Sequence, residues 1–238
     1  MSTEPGYILA AEPRPTARVA GSELLWPIRR VLCVGRNYAD HAREMGSDPD
    51  REPPFFFSKP GDAVVEAAGK VAYPPLTHDL HHEVELVVAI GRATSNASPG
   101  EAVASIFGYA VGVDLTRRDL QNQAKDLRRP WDWAKGFDQS APMSPVVPLA
   151  RELSTGRIWL SVNGELRQDG DLADMIWAVP DIIASASKSI RLLPGDLIFT
   201  GTPGGVSALH PGDVVAGGVA DVAEFSFEIS GAELSDQG

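Results

Sequence analysis

The chain has 238 residues, of which 43% are hydrophobic and 22% charged, a composition that indicates a globular protein and excludes a disordered or fibrous one. Its 21 basic and 32 acidic residues give a formal net charge of −11. Nucleic acid is therefore excluded as the main ligand, because a protein that binds phosphates needs a basic surface. A single cysteine, Cys33, excludes an intramolecular disulfide framework and a thiolate-rich zinc site.

Neither a secretory signal nor a membrane span is indicated by the pattern of apolar residues. Residues 1–16 lack the basic start and the apolar stretch of a signal peptide. Residues 86–90 (LVVAI) are typical of the longest apolar runs, far below the about 18 residues that cross a bilayer. We therefore expect a cytoplasmic protein without membrane contact.

Several elements are predicted in the first hundred residues. Prolines over residues 1–28 prevent a long helix and indicate an arm that packs on the core and holds short edge strands. Residues 31–35 (VLCVG) predict a buried strand, and a short helix over 38–45 follows, ending before Gly46. Residues 83–91 (EVELVVAIG) alternate at first and then become continuously apolar, which favours a central strand.

The remaining sequence predicts three helices and many strands. A capped helix is expected near 98–107, and a second over 117–127 has helical composition and ends before a proline. The pair Asn163-Gly164 interrupts an alternating segment and predicts a tight β-hairpin. A third helix is expected after Pro180.

No linker, internal repeat or low-complexity tract divides the chain. The sequence therefore predicts one domain over residues 29–238, preceded by the arm of residues 1–28. Its fold class is α+β, predominantly β, with short helices.

Three acidic residues form a candidate metal site. Glu83 and Glu85 lie two apart on a predicted strand, so their side chains share one face. Asp114 follows the next predicted strand, at an end where it can converge on that pair. Neighbouring carboxylates raise each other's pKa unless a cation lies between them, and oxygen ligands without a cysteine suit Mg²⁺ or Mn²⁺. The alternative is a strand face exposed to solvent, which the buried LVVAI run disfavours.

A histidine and a glutamate on the predicted short helix form a candidate general base. His41 and Glu44 are three residues apart, so they are neighbours on one helix face. A carboxylate beside an imidazole raises its basicity and fixes its tautomer. The alternative is an exposed pair without function. Three further histidines are interpreted as hydrogen-bonding groups or part of a turn rather than ligands: His78, His81 and His82.

Residues 114–135 contain six basic and four acidic residues, in contrast to the acidic chain as a whole. Arg118 and Gln121 lie on one stripe if a helix begins at Asp114. Together with Lys135 they are the candidates that donate hydrogen bonds to an anionic substrate or a developing oxyanion. The other charges are expected to form a solvated helix face.

The glycine-rich segment 201–205 (GTPGG) is not a phosphate-binding loop. It lacks the following Lys-Ser/Thr, so nucleotide binding has no support. We interpret it as a tight turn in which the Thr202 hydroxyl and backbone N–H groups face a carboxylate.

Taken together, these motifs resemble the fumarylacetoacetate hydrolase superfamily. The resemblance runs over about residues 28–230 and rests on six segments in order: VGRNYADHAREMG (34–46), PPFFFSKP (53–60), HHEVELVVAIG (81–91), FGYAVGVDLTRRDLQ (107–121), PWDWAKGFD (130–138) and LPGDLIFTGTPGGV (193–206).

This resemblance implies a mixed β-sandwich roll that assembles as a homodimer and holds one Mg²⁺ or Mn²⁺ ion per chain. It places the metal on Glu83, Glu85 and Asp114 and makes His41 and Glu44 the pair that activates water. It also makes three polar side chains stabilisers of the substrate: Lys135, Gln121 and Arg118. It places Thr202 in contact with the substrate carboxylate.

Within the superfamily the chain looks most like the fumarylpyruvate hydrolases of the gentisate branch of aromatic catabolism. The segments that carry this finer match are HAREMGSDPDREPPFFFSKP, YPPLTHDLHHEVELVV and GDLADMIWAVPDIIA. The expected reaction is hydrolysis of a C–C bond in a small anionic β-diketo acid. The alternatives are an acylpyruvate hydrolase or an oxaloacetate decarboxylase on the same scaffold, a hydratase or isomerase of 2-oxo-diene acids, and a non-catalytic binding module.

Overall fold

A computed structural model of the chain describes residues 8–10, 12–39 and 53–231. The predicted helix over 38–45 falls mainly outside these ranges. Its two candidate functional residues, His41 and Glu44, both lie outside the described residues.

Strands dominate the described residues. The first half of the chain contains β1 (Thr16–Arg18), β2 (Leu25–Pro27), β3 (Arg30–Gly35), β4 (Phe55–Lys59), β5 (Val64–Glu66), β6 (Ala68–Ala72), β7 (Leu80–His81), β8 (Val84–Ile90) and β9 (Ile106–Val113). The second half contains β10 (Thr116–Arg117), β11 (Ala141–Met143), β12 (Val147–Pro148), β13 (Arg157–Val162), β14 (Glu165–Asp171), β15 (Asp196–Phe199), β16 (Ala208–Leu209), β17 (Val214–Val219) and β18 (Ala223–Ser230).

The helices of the described residues are short. They are α1 (Pro99–Val103), α2 (Arg118–Asp126), α3 (Asp132–Lys135) and α4 (Val179–Ser189), with 3₁₀ turns at Gly61–Ala63 and Leu172–Asp174. The predicted α+β class with predominant β-structure is confirmed.

Two large sheets make up the architecture. The first has eight strands in the order β4-β3-β15-β8-β9-β11-β5, with β12 paired to β9. The second has five strands in the order β14-β13-β17-β18-β6. Two small sheets complete it, β10-β7-β16 and the hairpin β1-β2.

Strand β8 is central in the eight-stranded sheet and buried along its whole length, as predicted. Leu86 and Val88 belong to a hydrophobic cluster to which the five-stranded sheet also contributes side chains. Val87 faces the opposite side, in a second cluster. Because strand side chains alternate, the odd-numbered Glu83 and Glu85 share the side of Val87, away from the five-stranded sheet.

The second cluster joins the amino-terminal hairpin to the sheet. Trp26 from β2 and Ile28 are buried there, beside Val31 and Cys33 of β3. The core is thus continuous across residue 28, and the boundary between arm and domain stays a prediction. Burial raises the pKa of the Cys33 thiol well above its ordinary value.

Most predicted elements are found with shifted ends. The helix expected near 98–107 ends at Val103, because β9 begins at Ile106 and takes the remaining residues into the sheet. The helix expected over 117–127 spans Arg118–Asp126. The predicted hairpin joins β13 and β14, with positive φ angles of 54° at Asn163 and 80° at Gly164, as a tight hairpin turn requires.

Among the described residues, no helix combines the length and the apolar character that a bilayer crossing needs.

Candidate active site

The register between β8 and β9 brings the three acidic residues together. Val84 pairs with Val113 in this antiparallel ladder, so the next positions, Glu83 and Asp114, lie opposite each other. The backbone N–H of Asp114 donates to the carbonyl oxygen of Glu83 at 2.8 Å. Glu85 lies two residues along β8 on the same face. Two neighbours on one strand and their cross-strand partner therefore form a triad of carboxylates.

The triad is buried. Glu83, Glu85 and Asp114 are 5%, 1% and 0% exposed, and one oxygen from each lies within 4.8 Å of the others. Burial, and then the charges of Asp114 and Glu83, raise the pKa of Glu85 well above its ordinary value. Full ionisation of the triad therefore calls for a cation of high charge.

The donor set fits a hard divalent ion. Oxygen ligands bind Mg²⁺ at about 2.1 Å, so two ligands on opposite sides of the ion are about 4.2 Å apart. The triad spans at most 4.8 Å, close to that separation. Three carboxylates leave the remaining octahedral positions for water or substrate oxygens.

Lys135, at the end of α3, binds two members of the triad. Its Nζ donates to Glu83 Oε2 at 2.8 Å, to Asp114 Oδ2 at 2.7 Å and to Thr116 Oγ1 at 2.7 Å. Burial alone lowers the pKa of Lys135, but the two carboxylates outweigh it and raise the pKa above its ordinary value. Lys135 is therefore a fixed ammonium donor at the triad.

A second buried lysine, Lys59, supports the other side of Asp114. Its Nζ forms an ion pair with Asp114 Oδ1 at 2.8 Å and donates to the carbonyl oxygens of Leu115 and Lys135. The bond to the Lys135 carbonyl ties the end of α3 to β4. Lys59 was not selected from the sequence, although PPFFFSKP contains it.

Arg118 and Gln121 act as a unit on the first turn of α2. The Arg118 guanidinium donates to Glu83 Oε1 through Nη2 and to Gln121 Oε1 through Nη1. Both side chains are buried, at 5% and 3% exposure. Since its carbonyl accepts from Arg118, Gln121 presents its amide N–H groups as the side available to a ligand.

The GTPGG turn reaches the triad through its backbone. Gly201 N–H donates to Glu85 Oε2 at 2.7 Å, as expected for a turn that faces a carboxylate. Thr202 is buried, and its Oγ1 accepts a 2.7 Å hydrogen bond from Gln168 Nε2. Gln168 lies on β14 and was not selected from the sequence.

The histidines before Glu83 form hydrogen bonds, in line with their interpretation. His82 Nδ1 lies 2.8 Å from Gln168 Oε1, and its Nε2 lies 2.8 Å from Ser207 Oγ. Burial lowers the pKa of His82 to about 4, so its ring is neutral at pH 7. His81 Nε2 lies 2.8 Å from Asp79 Oδ1.

A small pocket lies directly against Glu83 and Glu85 of the triad. Buried residues form its base, and half-buried residues form its rim. The rim carries two cations held on aromatic rings. The Arg36 guanidinium lies 5.7 Å from the Phe55 centroid, and Lys125 Nζ lies 5.7 Å from that of Trp131.

The expectation that the unselected charges of residues 114–135 form a solvated face is wrong in part. Arg117 is buried and lies 4.4 Å from the centroid of the Phe137 ring. Lys125 lines the pocket rim. Burial, and then the charges of Arg118 and Arg36, lower the pKa of Lys125 to about 8. The tertiary contacts of α2, which turn these residues inward, are not visible in its sequence.

The structure thus brings most of the selected residues to one place. Those that line the pocket are Glu83, Glu85, Arg118, Gln121, Lys135 and Thr202. Asp114 lies directly behind them, bound to Lys135. His41 and Glu44 lie outside the described residues, so their role stays a prediction.

Solved and curated relatives match this chain over most of its length. A Burkholderia cenocepacia protein, solved as a candidate fumarylpyruvate hydrolase, is 57% identical, with a TM-score of 0.90 and 96% of each chain covered. The fumarylpyruvate hydrolase of Pseudomonas aeruginosa, solved with Mn²⁺ and pyruvate, is 44% identical, with a TM-score of 0.92 over 94% of this chain and 99% of that one.

A mitochondrial enzyme is also similar. Oxaloacetate tautomerase FAHD1 of Rattus norvegicus is 42% identical over 203 residues, which covers 84% of this chain and 91% of the relative. The family described as Fumarylacetoacetate (FAA) hydrolase C-terminal matches residues 30–229, almost the whole of the described fold. The chain therefore belongs to the fumarylacetoacetate hydrolase family.

Proposed function

We propose that this protein is a Mg²⁺- or Mn²⁺-dependent hydrolase that cleaves a C–C bond of fumarylpyruvate, giving fumarate and pyruvate. The observation that carries the proposal is the arrangement of charge in the pocket. A carboxylate triad suited to a divalent ion lies at the base, and Arg36 and Lys125 lie at the rim. A substrate with a keto-acid end and a second carboxylate at its tail matches both. The fumarylpyruvate hydrolase of Pseudomonas aeruginosa supports the assignment of the base.

The base of the pocket would bind the pyruvoyl end. Glu83, Glu85 and Asp114 would hold the divalent ion, which would supply a Lewis acid for the carboxylate and keto oxygens of that end. Lewis-acid polarisation stabilises the negative charge that the pyruvate half acquires as the bond breaks.

The water attack is assigned to the dyad predicted from the sequence. His41, with its basicity raised by Glu44, takes a proton from water, and the hydroxide adds to the ketone carbon of the fumaryl group. The C–C electron pair then leaves with the pyruvate half as its enolate, which takes up a proton. One water is consumed, and the products are fumarate, pyruvate and one proton.

The oxyanion formed by this attack needs hydrogen-bond donors. This role is assigned to Lys135, which binds the triad, and to Gln121, which lines the same pocket. Such a donor is typically worth about 3–4 kcal/mol in the transition state. All three N–H groups of Lys135 are bonded in the structure, one of them to the neutral Thr116 hydroxyl. Exchange of that neutral partner for an oxyanion is favourable because the ammonium attracts a charged acceptor more strongly than a neutral hydroxyl.

Arg118 lines the pocket and has a supporting role beside its predicted contact with the substrate, which stays a prediction. Its contacts to Glu83 and Gln121 make it a support for the triad and for the Gln121 amide. Carboxylate recognition is assigned in this proposal to Arg118 and Thr202 at the base and to Arg36 and Lys125 at the rim.

A second candidate is chemistry on oxaloacetate, which the 42% identity to the Rattus norvegicus tautomerase favours. Tautomerisation or decarboxylation of oxaloacetate uses the same stabilisation of an enolate. An acylpyruvate hydrolase would also use the same base. These reactions differ from the proposed one in the tail of the substrate, which is where the rim cations lie.

A spectrophotometric screen with Mn²⁺ separates these functions. We expect fumarylpyruvate to have a higher kcat/KM than acetylpyruvate, whose tail carries no charge, and than oxaloacetate. A higher kcat/KM for oxaloacetate than for fumarylpyruvate would support the second candidate instead. Absence of Mn²⁺ binding to the metal-free protein would favour the binding module.

The rim is tested by Lys125→Met, which keeps the length of the side chain and removes its charge. We expect kcat/KM for fumarylpyruvate to fall about tenfold, as for loss of one charged hydrogen bond, while that for acetylpyruvate stays unchanged. Lys188→Met on α4, an exposed site outside the pocket, is the matched control. An equal loss on both substrates would contradict the assignment of Lys125 to the tail.

The dyad is tested by His41→Ala. Loss of a general base lowers the rate by about 10²–10⁴-fold, and we expect a fall in kcat of this size with Mn²⁺ affinity unchanged. Titration of Mn²⁺ monitored by calorimetry gives the affinity. If the variant no longer binds Mn²⁺, His41 is a ligand and its assignment as the base is wrong.

The homodimer, the gentisate pathway and the cytoplasmic location remain predictions from the sequence. Sedimentation equilibrium at micromolar concentration tests the first, with a single species of twice the chain mass as the expected result.

A further inference from the structure

Gln168 is a buried polar side chain on a strand that is otherwise mainly accessible to solvent. It is 0% exposed, whereas most of β14 is exposed or half-buried. A buried amide is costly unless its donors and acceptors are all bonded. The bonds of Gln168 therefore define what this side chain does.

The amide of Gln168 is fully bonded and its orientation is fixed by the partners. Oε1 accepts from Val84 N–H at 3.1 Å and lies 2.8 Å from His82 Nδ1. Nε2 donates to Thr202 Oγ1 at 2.7 Å and to the Pro203 carbonyl at 2.9 Å. A backbone N–H only donates and a carbonyl only accepts, so the reversed amide would lose both bonds.

These bonds also set the direction of the Thr202 hydroxyl. Its oxygen accepts from Gln168, so its own hydrogen stays available for donation. Thr202 lines the pocket together with Glu85 and Lys135. A hydroxyl held in this way keeps its hydrogen and one lone pair, and an anionic oxygen in the pocket attracts the hydrogen.

The same amide fixes the distance between the hydroxyl and the triad. Val84, whose N–H it binds, lies between Glu83 and Glu85 on the chain. One side chain thus joins the backbone that carries two of the acidic residues to the turn that carries Thr202.

We propose that Gln168 is a positioning residue that clamps Thr202 to the triad and orients its hydroxyl as a hydrogen-bond donor to a carboxylate oxygen of the keto acid. The inference rests on the proposed function in that Thr202 contacts the substrate. It adds the residue that makes this contact directional.

The test is Gln168→Glu, alone and combined with Thr202→Val. Glutamate keeps the acceptor for Val84 and His82 but has no N–H for Thr202, so the hydroxyl turns and donates to the new carboxylate. The readout is pyruvate binding to the Mn²⁺-loaded protein by calorimetry, with Mn²⁺ affinity measured separately. Gln139→Glu is the matched control, because Gln139 Oε1 also accepts a backbone N–H, from Ala72, but lies outside the pocket lining.

We expect Gln168→Glu to weaken pyruvate binding about tenfold with Mn²⁺ affinity unchanged, and to have no further effect in the Thr202→Val background. The control should bind pyruvate as the unmodified protein does. An unchanged pyruvate affinity, or an equal loss with and without the Thr202 hydroxyl, would overturn the inference. If Gln168→Glu does not fold, Gln168→Asn replaces it, because its shorter side chain cannot reach both Val84 and Thr202. It is measured alone and combined with Thr202→Val, and the same results support or overturn the inference.

Pyruvate binding also separates this inference from the proposed function. A protein that binds pyruvate through Gln168 and Thr202 but does not hydrolyse fumarylpyruvate would refute the reaction and leave the positioning role intact.

Discussion

At the scale of single residues, the site contains three carboxylates and three cations, but the ion pairs between them are distributed unequally. Glu83 pairs with Arg118 and Lys135, and Asp114 pairs with Lys135 and Lys59. The contact that the structure gives Glu85 is the neutral N–H of Gly201. Burial, and then the charges of Asp114 and Glu83, raise the pKa of Glu85, so the ionised form of Glu85 is stabilised by a divalent ion.

The rim lysine gives the proposed hydrolase a signature in its pH profile. Lys125 is charged below its pKa of about 8 and neutral above it. Since kcat/KM reports the groups of the free enzyme, we expect kcat/KM for fumarylpyruvate to fall as the pH rises through about 8. In Lys125→Arg the guanidinium stays charged, so this decline should disappear. A decline that persists in Lys125→Arg would assign it to another group.

At the scale of elements, the turn after β15 is where the backbone itself enters the site. Gly201 has a φ of 95°, and a Cβ there would lie 2.7 Å from the Cβ of Asn37. Asn37 in turn donates from Nδ2 to the Thr200 carbonyl at 2.8 Å. The turn is therefore fixed from the β3 side by packing and from the β8 side through Glu85.

This packing predicts different costs for two glycines of similar conformation. Gly212 has a φ of 94° but open space around its Cβ position. We expect Gly212→Ala to lower the free energy of unfolding by about 1–2 kcal/mol through backbone strain. Gly201→Ala adds a clash and should cost about 1–3 kcal/mol more. Urea denaturation measures both, and equal costs would show that Asn37 yields to the added methyl group.

Gly201→Ala should also weaken Mn²⁺ binding, because the displaced turn no longer donates to Glu85. Gly212→Ala should leave Mn²⁺ binding unchanged.

The elements also show how far the sequence predicts the site. The alternation along β8 predicts that Glu83 and Glu85 share a face, and the structure shows it, because alternation is a local property of strands. That Asp114 lies opposite Glu83 depends on the register between β8 and β9. The sequence predicts only that Asp114 lies at the end of a strand, because it does not fix this register. Lys59 and Gln168 were missed because their contacts join strands far apart in the chain, and no local pattern marks them.

At the scale of the whole molecule, an acidic protein holds a pocket lined by cations. The formal net charge is −11, yet Arg36, Arg118, Lys125 and Lys135 all line one cavity. Selectivity for an anionic substrate is thus a local property of the pocket, which the overall composition does not predict.

Metal binding should be visible in the stability of the whole fold, since the triad ties β8 to β9. At a Mn²⁺ concentration 100 times Kd, the stabilisation is about 2.7 kcal/mol. For a chain of this size this raises Tm by about 5–10 °C. Glu85→Gln keeps an acceptor for Gly201 and removes the charge, so it should fold but show no shift. A shift of equal size in Glu85→Gln would place the ion elsewhere.

The burial of Cys33 has a practical consequence. The only thiol of the chain is inside the core, so it is not accessible to alkylating reagents in the native protein. A cysteine introduced at the surface, for example at Trp133, which is 81% exposed, would then carry a fluorophore or spin label at a single defined position without prior removal of the native thiol.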